Sequence, residues 1–179
     1  MRLFVAIDVS TEVRTVLLEH QRRISSVASS GNFSHRDNLH LTLAFLGELP
    51  PSDLPRITGI VDSLDIPPFP LVIDTLGRFA RSGSDIWWAG VYRNPVLLTL
   101  QSLLDSRFQE AGFTLDNRPF AAHITLARQV RMPDAHAVRE LLDPIKPIRM
   151  TVGRISVMES TRIEGKLTYI ELHGHDLGR

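Results

Sequence analysis

Residues 40–45 read HLTLAF and residues 123–128 read HITLAR, so the chain spells His-x-Thr-Leu-Ala twice, 83 positions apart. An apolar residue fills x both times. In a β-strand alternate side chains share a face. His40 and Thr42 therefore point one way, with Leu41 and Leu43 opposite. The same parity places His123 and Thr125 on one face, with Ile124 and Leu126 on the other. Leu41, Leu43, Ile124 and Leu126 are expected in a core. Each motif strand is left presenting an imidazole and a hydroxyl above the sheet.

One such string carries little weight, because a single His on an apolar strand is most often a hydrogen-bonded structural residue. Two, inside longer similar strings, point to a paired site. If both strands face one cleft, it holds two histidines and two threonines. Imidazole titrates near neutrality, so one His can act as general acid while the other acts as general base. Threonine hydroxyls can donate to a phosphoryl oxygen, and Arg128 can pair with it more strongly. Strict alternation sends Arg128 to the side of Ile124 and Leu126. A bulge or the strand's end is required to turn it toward the histidines.

Other chemistries have less support. The chain has no cysteine, which excludes disulfides, thiolate nucleophiles and zinc–cysteine sites and fits a cytoplasmic location. The His spacing matches no familiar zinc motif, so no metal site and no cofactor are nominated. No G-x-S-x-G, P-loop or dinucleotide fingerprint is present. Twenty basic and 20 acidic residues cancel, so no net field advertises nucleic acid or a membrane, although a short RNA end needs none. No apolar run approaches a membrane span.

Periodicity gives strands at 2–9, 40–46, 69–79, 86–92, 123–130, 149–160 and 166–173. It gives helices after Ser10, after Pro50–Ser52, over Pro95–Ala111, and a short one ending near Leu142. Gly112 is the natural stop of the third, and Ser29–Asn32 closes the first. The pattern is α+β with largely antiparallel sheet. No linker separates domains, so residues 1–179 form one domain. The recurrence of helix, motif strand and helix suggests two similar lobes, and a monomer is the default, with no protein partner evident.

Taken together, RLFVAID, RDNLHLTLAFLGE, DIWWAGV, GFTLDNRPFAAHITLAR, RISVMES and KLTYIEL resemble, in that order, the 2H phosphoesterase superfamily. Within it they are most similar to the bacterial and archaeal RNA 2′,3′-cyclic phosphodiesterases, also called 2′-5′ RNA ligases. The resemblance implies a bilobal α+β fold with pseudo-twofold symmetry, two antiparallel sheets forming a central cleft and helices outside. It implies metal-independent opening of RNA 2′,3′-cyclic phosphate ends, or nucleotides carrying them, to 2′-phosphates, with reversible 2′-5′ ligation. His40 would be the general acid, His123 the general base, and Thr42, Thr125 and Arg128 the phosphate ligands. Two departures stand out: Ala122 replaces a common Pro, and Phe33 and His35 lie where a Trp is common. Phe4, on a strand beside the cleft, is a candidate for stacking on a base. Two other readings stay open: a 2′-5′ oligonucleotide or other cyclic nucleotide as substrate, and a non-catalytic RNA- or nucleotide-binding module.

Overall fold

A computed structural model describes residues 1–116, 118–142 and 145–178. Asn117, inside one of the stretches quoted above, lies outside the described residues. The elements are β1 (Arg2–Asp8), α1 (Thr11–Val27), β2 (Ser30–Phe33), β3 (His40–Glu48), α2 (Leu54–Asp62), β4 (Phe69–Phe79) and β5 (Asp85–Val91). They continue with α3 (Pro95–Glu110), β6 (His123–Arg131), α4 (Ala135–Leu141), β7 (Ile148–Val152), β8 (Arg154–Ile163) and β9 (Lys166–Asp176).

The described strands join one antiparallel sheet in the order β7-β4-β5-β6-β3-β1-β8-β9, with β2 also on β6. Two wings are visible, one of β3, β1, β8 and β9 and one of β6, β5, β4 and β7. They meet where β3 touches β6, at the single pair Leu41↔Ile124. The two sheets expected from the resemblance are thus continuous through one narrow bridge. Leu41 and Ile124 are fully buried, and one apolar cluster runs beneath both wings.

The wings do not correspond to halves of the sequence. β8 and β9, from the C-terminal end, return to pair with β1, the first strand. The helices cross over as well: α1 packs on β6, β7 and β2, whereas α2 and α3 pack on β3, β8 and β9.

Local chemistry explains the element ends. The Ser10 hydroxyl accepts from the Val13 N–H and starts α1. Val13, Leu17, Gln21 and Ile24 form its buried stripe. Gly112 takes a positive φ of 83° just past α3, where Phe113 N–H reaches the Phe108 carbonyl.

Two expected elements differ. Ser30–Phe33 is a strand on β6 rather than the loop closing the first helix. The strand expected over 149–160 is two, β7 on β4 and β8 on β1, so the chain crosses between wings at Gly153. The sequence carries a trace of this break. Inward apolar positions run even through Ile148, Met150 and Val152, then odd through Ile155 and Val157. No helix among the described residues is long and apolar enough to cross a membrane.

Candidate active site

The Leu41↔Ile124 bridge fixes the centre of the site. Those two side chains point into the core, so His40, Thr42, His123 and Thr125 all rise from the opposite face. An antiparallel register through this pair sets His40 toward Thr125 and Thr42 toward His123. The four motif side chains thus cluster across the junction of the wings.

Both imidazoles are oriented in the same way. His40 Nδ1 lies 2.8 Å from the Asn38 carbonyl, and His123 Nδ1 lies 2.6 Å from the Ala121 carbonyl. A carbonyl can only accept, so each Nδ1 carries the proton and each Nε2 is free to exchange one. His40 Nε2 lies 2.9 Å from the Thr42 hydroxyl. Both rings are partly buried, and burial is the main cause lowering each pKa below the usual imidazole value. Each carbonyl contact pushes upward, while the Arg128 guanidinium lowers both.

Each His is also walled by two aromatic rings. His40 meets Phe4 at 4.9 Å and Tyr169 at 5.0 Å between centroids. His123 meets Phe79 at 5.2 Å and Trp88 at 6.2 Å. The Trp88 indole lies across glycines. A Cβ at Gly77 would come within 2.2 Å of it and one at Gly90 within 2.9 Å, so neither position admits a side chain. Trp87 points the other way and is fully buried, as opposite parity requires.

Arg128 reaches the motif face because both motif strands carry a bulge at the same place. Ala6 pairs with Thr42 and Val5 with Ala44, which leaves Leu43 unpaired. Trp88 pairs with Thr125 and Trp87 with Ala127, which leaves Leu126 unpaired. Each extra residue reverses the alternation, so Leu43–Ala44 and Leu126–Ala127 are consecutive buried pairs. Phe45 and Arg128 emerge on the side of the histidines. The charge of Arg128 is felt at His40, His123 and Tyr169. The requirement for a bulge, stated above from parity, is met.

The bulge in β6 is held from behind. The Leu126 carbonyl accepts from Gln21 Nε2 at 2.7 Å and from Ser34 N–H at 2.9 Å. Gln21 also donates to the Ser34 carbonyl at 2.8 Å, and the Ser34 hydroxyl donates to the Thr125 carbonyl. Replacing buried Gln21 by Leu removes its donor from the Ser34 and Leu126 carbonyls, the latter keeping the Ser34 N–H, and is expected to cost about 1–3 kcal/mol. Urea denaturation checks this through the midpoint at unchanged slope.

The aromatic candidate Phe4 turns out to be a wall residue. It is 4% exposed, packed between His40 and Tyr169, and offers too little surface for a base to stack on. Arg78, near the end of β4, is paired to Asp85 at 2.7 Å. His173 and His175 lie against Asp62, away from the cluster.

Parity and spacing did not nominate Asp8, Tyr169, Phe79 or Gln21. Asp8 was within reach of pairing rules: it sits opposite His40 in the sheet, and its charge favours protonated His40. The corresponding partner of His123 is Gly90, which has no charge. A cavity of about 200 Å³ opens on the His40 side, lined by Ala6, Asp8, His40, Ser156, Met158 and Tyr169 among others. Among the described residues no group of three or more His, Asp or Glu is arranged to hold a metal ion.

Known proteins share this arrangement of strands and helices. The chain is 37% identical over 128 residues to the RNA 2′,3′-cyclic phosphodiesterase of Escherichia coli K12, covering 71% of each chain. It is 31% identical over 169 residues to the enzyme of that name from Thermotoga maritima, covering 90% of this chain and 87% of that one. The crystal structure of E. coli LigT complexed with 3′-AMP superposes with a TM-score of 0.83 at 29% identity, over 99% of this chain and 98% of that one. The sequence model of the 2′-5′ RNA ligase superfamily matches residues 15–164. On that match, and on these two relatives, the chain belongs to the 2′-5′ RNA ligase superfamily.

Proposed function

We propose that this protein hydrolyses RNA ends or nucleotides bearing a 2′,3′-cyclic phosphate to the 2′-phosphate. The observation that carries the reading is the pair of Nε2-presenting histidines on one face, at the junction of two wings, with the Arg128 charge acting on both. The names of the relatives, RNA 2′,3′-cyclic phosphodiesterase, supply the substrate class.

The chemistry needs a proton acceptor and a proton donor on opposite sides of phosphorus. His123 Nε2 takes a proton from water as its oxygen attacks in line. The P–O3′ bond breaks and His40 gives its Nε2 proton to O3′. Thr42, Thr125 and Arg128 stabilise charge on the two non-bridging oxygens. The strained five-membered ring provides part of the driving force. The asymmetry of charge supports this assignment of roles. His40 has the Asp8 carboxylate to favour its protonated form, and His123 has none.

Turnover of an oligoribonucleotide ending in a 2′,3′-cyclic phosphate, with chelator present, tests the reading. A 2′-phosphate product supports it. No turnover by folded protein, or a 3′-phosphate product, contradicts it.

The pH profile follows from the same residues. kcat/KM rises as His123 loses its proton and falls as His40 loses its own. Burial lowers both below the usual imidazole value, so the optimum is expected on the acid side of about 6.5. Asp8→Asn removes a charge that raises His40. The alkaline limb is therefore expected to move to lower pH with the acid limb in place. A pH–rate comparison of the two proteins checks this.

A further inference from the structure

The two aromatic walls are unequal, and the inequality falls along the reaction axis. On the His40 side Phe4 is 4% exposed. On the His123 side Phe79 is 37% exposed, its ring edge-on to the imidazole at an interplanar angle of 88°. Phe79 ends β4, and Trp88 packs against it at 5.2 Å. A flat apolar ring therefore stands open beside the imidazole that receives the nucleophile's proton.

This inference rests on the cyclic-phosphate reading and extends it. In-line displacement puts the leaving O3′ at His40, and O3′ belongs to the donor's own ribose. The donor nucleoside must then lie on the His40 side, where the cavity between β1, β8 and β9 opens. Whatever carries the attacking oxygen lies on the other side, over β4 and β5. Water has no use for an exposed aromatic face. A nucleoside does, because any base stacks on a flat ring irrespective of sequence.

We propose that Phe79 is the stacking platform for an acceptor nucleoside whose 5′-hydroxyl replaces water. The step balances: O5′ attacks phosphorus, its proton passes to His123 Nε2, the P–O3′ bond breaks, and O3′ takes the His40 proton. The product is a 2′-5′ phosphodiester. The reverse step runs on the same atoms, with His40 accepting the O3′ proton and His123 protonating the departing O5′.

Partition between transfer and hydrolysis tests this, because both reactions start from one bound donor. The donor is an oligoribonucleotide with a 2′,3′-cyclic phosphate, and the acceptor is adenosine at fixed concentration. Phe79→Leu keeps apolar bulk and removes the flat ring, while Phe79→Tyr keeps the ring. The ratio of 2′-5′-linked product to 2′-phosphate is expected to fall about tenfold or more in Phe79→Leu and to persist in Phe79→Tyr. A ratio unchanged in Phe79→Leu overturns the proposal, as does a wild-type protein that hydrolyses the donor but never transfers it. A wild-type protein that leaves the donor intact overturns the cyclic-phosphate reading itself, and the acceptor site with it.

Discussion

His123→Ala is expected to lower kcat/KM for cyclic-phosphate opening by about 10²–10⁴-fold, the usual span for a general acid or base. The same loss is expected for His40→Ala. On the proposed mechanism the two histidines serve one transition state, so the double variant should fall little further than either single one. Folding should survive each change, since both rings stand on the cleft face and the core beneath is made by Leu41 and Ile124. Single-turnover rates on one cyclic-phosphate donor, with circular dichroism to confirm the fold, check these outcomes. A double variant whose loss equals the product of the two single losses would mean that the histidines contribute independently.

Arg128→Ala is the second large effect. On the proposed mechanism the guanidinium supplies the only full positive charge assigned to the phosphate, and loss of such a group costs about 10²–10³-fold. Arg128→Lys should recover little, because an ammonium lacks the planar fork that spans two oxygens. A pH signature separates this role from simple positioning. Arg128 lowers the pKa of both histidines, so its removal should move both limbs of the profile to higher pH. A rate loss with both limbs fixed would place Arg128 outside the electrostatics of the site.

The motif pair was legible because strand parity is a local property. His-x-Thr in a strand puts both polar groups on one face whatever the fold. The ends of β4 and α3 were legible for similar reasons, being set by Phe69–Phe79 alternation and by Gly112. Arg128 was not legible from alternation, since the bulges at Leu43 and Leu126 depend on pairing with β1 and β5. Consecutive Leu-Ala in both strings was the available sign, because two adjacent inward residues break a period of two. The lobes misled in another way. Apolar patterning says that α1 buries a face, not which wing receives it, and α1 crosses to β6 while β8 and β9 return to β1. Tyr169 reaches His40 only through that return.

The assignment of acid and base is the claim on which everything else depends, and one substitution in the substrate tests it most directly. A 2′,3′-cyclic phosphate whose bridging 3′-oxygen is replaced by sulfur leaves as a thiolate, which needs no proton from the enzyme. On this substrate His40→Ala is expected to regain most of the wild-type rate, while His123→Ala stays slow because water still needs its base. Rescue of His123→Ala instead, or equal rescue of both, would contradict the roles given to the two halves of the repeated motif.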